Sequence, residues 1–137
     1  MLKLSQSASV ALTALVLVAA GCSKSTQSQQ VLTQTSGDLT VQFTVMGANG
    51  GPAHSGEDTA VVTVTSNGQP VDDANVLATA NMKAPKLAGS PASGRFEGNG
   101  QYNVPLRLVA TTYDVDVKIV RLNKPAVELT FPVEAWQ

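Results

Sequence analysis

The sequence predicts an all-β domain, a single immunoglobulin-like antiparallel β-sandwich of six to seven strands that follows a signal peptide and a tether. Three observations predict it. Apolar and polar residues alternate in six segments after Asp38, the period of a half-buried strand. Clusters of Gly, Pro and Asn separate those segments, as turns require. Beyond the leader, no segment repeats its apolar residues every 3.6 positions for long enough to make a helix.

The chain has 137 residues, the size of one domain. Its first element is an apolar run, residues 8–20 "ASVALTALVLVAA", with Lys3 before it and Ala19, Ala20 and Gly21 at its end. It falls short of the ~20 residues of a spanning helix and fits the ~7 to 15 of a secretory signal, with small residues where a peptidase needs room. Residues 1–21 therefore read as a leader.

Cys22, the one cysteine in the chain, comes next. The run Ala19-Ala20-Gly21-Cys22 resembles the lipobox of bacterial lipoproteins, with Ala19 where Leu is usual. The resemblance implies a thioether-linked diacylglyceryl group on Cys22 and cleavage just before it. Two or more acyl chains give stable anchoring where one is marginal. An ordinary secretory signal or an uncleaved anchor are the alternatives. Ser23 follows, which by the same resemblance favours the outer membrane of an envelope that has two. Residues 22–37 are rich in Ser, Thr and Gln and read as a solvated tether.

The domain is expected over 38–137. Leu39, Val41, Phe43 and Val45 share the inward face of the first strand. Ala60, Val62 and Val64 follow, then Ala74, Val76, Ala78 and Ala80, then Tyr102, Val104, Leu106 and Leu108. Tyr113, Val115, Val117 and Ile119 make the next set, and Val127, Leu129, Phe131 and Val133 the last. Pro105 and Pro132 fall on the outward phase and mark edges or bulges, since proline cannot donate to a ladder. Trp136 is placed to close one end.

The segments "TAVVTVTSNGQPVDDANVLAT" (59–79) and "GNGQYNVPLRLVATTYDVDVKIV" (98–120) resemble the YtkA-like and FixH-like family of exported sandwich domains. Gly68, Pro70, Val71 and Ala74 match its Gly-x-Pro-Val pattern and Gly100 with Tyr102 its Gly-x-Tyr. Tyr113 holds a late aromatic position usually given to Trp. The same residues are also plain turn chemistry. The resemblance implies an envelope accessory domain, in some relatives linked to copper handling or to assembly of respiratory oxidases.

Copper needs soft or imidazole ligands, and the chain offers Met46, His54 and Met82. With successive strands antiparallel, all three fall at one end of the sandwich, although Met82 follows the inward phase of its strand and Met46 the outward one. In the plainer reading Met82 fills core space, Met46 caps a strand and His54 is solvated. The acidic pairs Glu57-Asp58 and Asp72-Asp73 sit outside any recognisable calcium loop and read as a solvated rim. Catalytic motifs are missing: there is no Gly-x-Ser-x-Gly, no P-loop, no paired His at metal spacing. With a net charge of -1 and scattered basic residues, a nucleic-acid partner lacks its electrostatic footprint.

The two longest loops, residues 46–58 and 82–94, are placed at one end and offer either a recognition surface or inert surface. The sequence thus points to a non-catalytic, membrane-anchored envelope lipoprotein that acts as a binding or scaffold module, with an envelope protein among its candidate partners. A copper-handling or oxidase-assembly accessory protein using Met46, His54 and Met82 is the alternative.

Overall fold

The computed structural model describes residues 30–137, so the leader, Cys22 and the start of the tether lie outside the described residues. Among those described, all regular structure is β. The first sheet holds β1 (Leu32–Ser36), β2 (Leu39–Gly47), β3 (Gly56–Ser66), β9 (Gln101–Leu108) and β8 (Arg95–Gly98) in that order, with the short β4 (Gln69–Pro70) beside β3. The second runs β11 (Val127–Glu134), β10 (Thr112–Val120), β5 (Asn75–Lys83) and β6 (Lys86–Leu87), with β7 (Pro91–Ser93) also on β5. Every strand pair is antiparallel.

The sequence alternation becomes the core. Leu39, Val41, Phe43, Ala60, Val62 and Val64 from one sheet meet Val76, Ala78, Val115, Val117, Ile119 and Phe131 from the other, all buried. Phe43 and Phe131 stack across the gap with centroids 4.6 Å apart and planes 10° apart, a geometry that adds ~0.5–1.5 kcal/mol beyond burial. Both prolines sit where no ladder bond is lost. Pro105 lies past Asn103, the last β9 residue with a β8 neighbour, and Pro132 is on the edge strand β11.

Turn residues act as their chemistry dictates. Asn99 and Gly100 both have positive φ, 53° and 75°, the pairing a two-residue hairpin turn demands. A Cβ at Gly100 would also stand 2.5 Å from the Val64 carbonyl oxygen, so only glycine fits between β3 and β4.

Two expectations are corrected. The tether does not extend to 37, because Leu32–Ser36 pair with Leu39–Phe43 as an edge strand around a turn at Gly37. Its polar outward residues disguised a strand with only one buried side. Nor is 82–94 an open loop: Leu87 and Lys86 fold back onto Met82 and Lys83, and Pro91–Ser93 pair with Leu77–Thr79. At Gly94, whose N–H donates to the Val76 carbonyl at 2.7 Å, the chain leaves the second sheet and β8 joins the first.

Candidate functional site

Strand register places the sequence-derived candidates at one end of the sandwich. Met46 pairs with Thr59 near the end of β2, and β3 and β9 meet there through Gly56 and Leu108. Met82 pairs with Tyr113 where β10 begins, a few residues after β9 ends. His54 lies in the β2–β3 loop and forms a bridge with Trp136. Side-chain direction separates them, however. Met46 alternates with the buried Val45 and faces outward from the first sheet, while Met82 packs against the core from the second. An ion bound to both sulfurs would have to lie on both sides of the first sheet, whereas metal–ligand bonds are only ~2–2.5 Å long.

His54 is held by other groups. Its backbone N–H donates to Asp58 Oδ1 at 3.1 Å, and its Nδ1 stands 3.3 Å from the same oxygen without hydrogen-bond alignment. The Asp58 side chain is fully buried and its Oδ2 has no partner among the described residues. This corrects the reading of Asp58 as a solvated rim. Extending the inward phase of β3 backwards from Val64, Val62 and Ala60 arrives at position 58, a signal the charge of the residue concealed. Among the described residues no three His, Cys, Asp or Glu side chains gather as a metal cluster.

The loop around His54 also clasps the chain's last described residues. Ser55 N–H donates to the Trp136 carbonyl at 2.6 Å, Trp136 N–H to the Ala53 carbonyl at 3.0 Å, and Ala135 N–H to the Thr111 carbonyl at 2.9 Å. Beside this clasp lies a cleft of about 200 Å³, lined by Gln30, Leu32, Val45, Pro52, Pro132 and Trp136 among others. That is below the ~300–1,000 Å³ of small-molecule pockets. The Trp136 ring does not close the end; it is 42% exposed.

On the outer face of the second sheet, a groove of about 700 Å³ runs between Asp114, Asp116, Thr130 and the β5–β6 hairpin. The side chains of Asp116 and Asn81 within it are engaged. Asp116 accepts hydrogen bonds from Thr130 Oγ1 at 2.6 Å and Asn81 Nδ2 at 3.0 Å, and Asn81 Oδ1 accepts the Gly89 N–H at 2.9 Å. The cluster holds the hairpin onto the sheet.

The opposite end is tied by charge. The Arg121 guanidinium donates twice to Asp38, at 2.9 and 3.1 Å, and Ser66 Oγ donates to the same carboxylate. These bonds, Arg121 first, hold the Asp38 carboxyl well below its ordinary value of 3.8. Between the ends, the buried Tyr102 hydroxyl donates to the Val71 carbonyl at 2.8 Å and accepts the Ala74 N–H at 3.0 Å. Burial pushes the Tyr102 phenol above its ordinary value of 10.0. Tyr113 does comparable work at the candidate end, its hydroxyl meeting both the N–H and the carbonyl of Val109. The sequence marked both tyrosines as motif aromatics; their hydroxyl partners needed the fold.

Comparison with known proteins adds three findings. A family model described as YtkA-like matches residues 33–118. The crystal structure of a DUF4426 family protein from Pseudomonas aeruginosa PAO1 superposes with a TM-score of 0.57 at 19% identity, covering 77% of this chain and 96% of that one, a likeness of fold. No curated protein matches the chain.

Proposed function

The chain belongs to the YtkA-like family, and from that premise we propose that it is a lipid-anchored envelope module that binds or scaffolds a protein partner and catalyses no reaction. The observation that carries this reading is the arrangement of Cys22. It ends an apolar leader and stands eight residues before Gln30, close to the edge strand β1, so a lipid there anchors the sandwich without entering its core. The lipobox resemblance supplies the chemistry, and Ser23 favours the outer membrane or a periplasm-facing position.

The alternative, an accessory for copper handling or oxidase assembly using Met46, His54 and Met82, is favoured by the shared end of these residues and opposed by the divergent directions of the two sulfurs. Mass analysis of the N-terminal peptide and membrane fractionation test the primary reading. Diacylglyceryl-modified Cys22 in the membrane fraction, with Cys22→Ala released or retained as uncleaved precursor, is expected. An unmodified Cys22 in a soluble chain overturns it.

A further inference from the structure

We propose that the end of the sandwich nearest the tether is a membrane-docking face, with Trp136 seated at the headgroup level of the bilayer; this rests on the anchoring of Cys22 proposed above. Three large apolar side chains are exposed there, Trp136 at 42%, Val109 at 52% and Leu87 at 56%, and Val31 at 61% lies on the path that the chain takes towards them. Register brings them together. Leu87 pairs with Met82, Met82 with Tyr113, and Tyr113 holds the backbone of Val109. Thr111 accepts the N–H of Ala135, next to Trp136. Val31 precedes Leu32, which pairs with Phe43 on the way to the same end of β2. Away from this end, Leu122 at 83% and Phe96 at 46% are exposed on separate elements, one after β10 and the other on β8, as single surface hydrophobes commonly are.

The tether decides what this face meets. Gln30, the first described residue, lines the cleft beside Trp136. Eight residues link it to Cys22, and eight residues reach at most about 29 Å in any conformation. An acyl-anchored Cys22 lies at the membrane surface, so the end that carries Gln30 is held within a fraction of a bilayer's thickness of it. An amphipathic ring such as tryptophan prefers that interface, where its body is apolar and its N–H stays wet. Ion pairs between Lys83 and Asp114 and between Arg107 and Glu57 compensate part of the charge around the face. The exposed Lys86 beside Leu87 and Glu134 near Trp136 are opposite in sign, so the face carries no net excess from them and apolar contact drives the docking.

The chain has one tryptophan and one cysteine, which makes the test direct. The protein is purified from bacterial membranes, its Cys22 mass is read, and it is reconstituted into vesicles of phosphatidylethanolamine and phosphatidylglycerol carrying brominated acyl chains. Docking predicts blue-shifted Trp136 emission and roughly twofold quenching, strongest for bromines near the headgroup, the depth of a group ~5–10 Å into the interface. The Leu87→Ser, Val109→Ser double variant, altered only at exposed positions, should lose much of that quenching. Vesicle-bound protein whose Trp136 is untouched by lipid bromine yet open to aqueous acrylamide overturns docking and leaves the anchor standing. If Cys22 proves unmodified, the anchor reading fails, and the same thiol is coupled to a maleimide lipid so that Trp136 quenching still decides the docking.

Discussion

Removing one oxygen atom from the core isolates a single connector of this fold. Tyr102→Phe keeps the ring, which is 2% exposed and lies 5.3 Å from Phe96, and deletes only the hydroxyl between the Val71 carbonyl and the Ala74 N–H. Both backbone groups then lose their partner inside the seam between β4 and β5, a loss of about 1–3 kcal/mol. In a domain of ~100 residues, 2 kcal/mol lowers Tm by ~8–16 °C and the urea midpoint by ~1–2 M, with m unchanged. Urea unfolding followed by far-UV circular dichroism and by Trp136 emission measures this, and coincident curves confirm two-state behaviour.

A pH series sharpens the test. Because burial raises the folded Tyr102 pKa above 10.0, the phenol's stability contribution is complete below that value and is lost as pH climbs through the folded pKa. The gap between wild type and Tyr102→Phe should therefore narrow above pH ~10. A neutral-pH difference below ~0.5 kcal/mol, with m unchanged, would refute the hydroxyl as the connector.

Two further outcomes are expected. Asp38 titrates below its ordinary 3.8, so the stability from its Arg121 and Ser66 bonds is present above that value and falls away as pH drops; Asp38→Asn should flatten the acid limb of the urea midpoint, and an unchanged limb would contradict the pairing. In copper(I) titrations against a competing chelator, no stoichiometric site should depend on both Met46 and Met82, and Met82→Leu, packed against the core, should change stability by less than ~1.5 kcal/mol. Loss of one tight site in both Met46→Leu and Met82→Leu would reinstate a shared metal.

The strands that face the core were readable because alternation is a local signal: each of the six long strands shows its inward set within a window of nine or so residues. Where the signal is weak, the sequence misleads. Residues 32–36 bury only one side partly, so Thr33, Gln34 and Thr35 read as linker. The 82–94 segment pairs through short pieces too brief to show a period. Asp58 follows the inward phase but carries a charge that sequence reasoning assigns to water. The grouping of Met46, His54 and Met82 at one end followed from strand direction, and the inward phase of Met82 against the outward phase of Met46 followed from the alternation, whereas the assignment of the two strands to different sheets needed the fold. Ties such as Arg121 to Asp38 span 83 positions and leave no local trace.

The edge position of β1 gives the anchor a mechanical character. Any pull arriving along the residues before Gln30 meets the open end of the β1–β2 hairpin, where Leu32 pairs with Phe43. Load applied there and directed away from the sheet edge peels hydrogen bonds one after another towards the turn at Gly37, instead of shearing the whole ladder at once. β2 stays paired with β3 along its full length while this happens. Tension on the membrane side would thus lengthen the leash by five residues and leave the folded body intact.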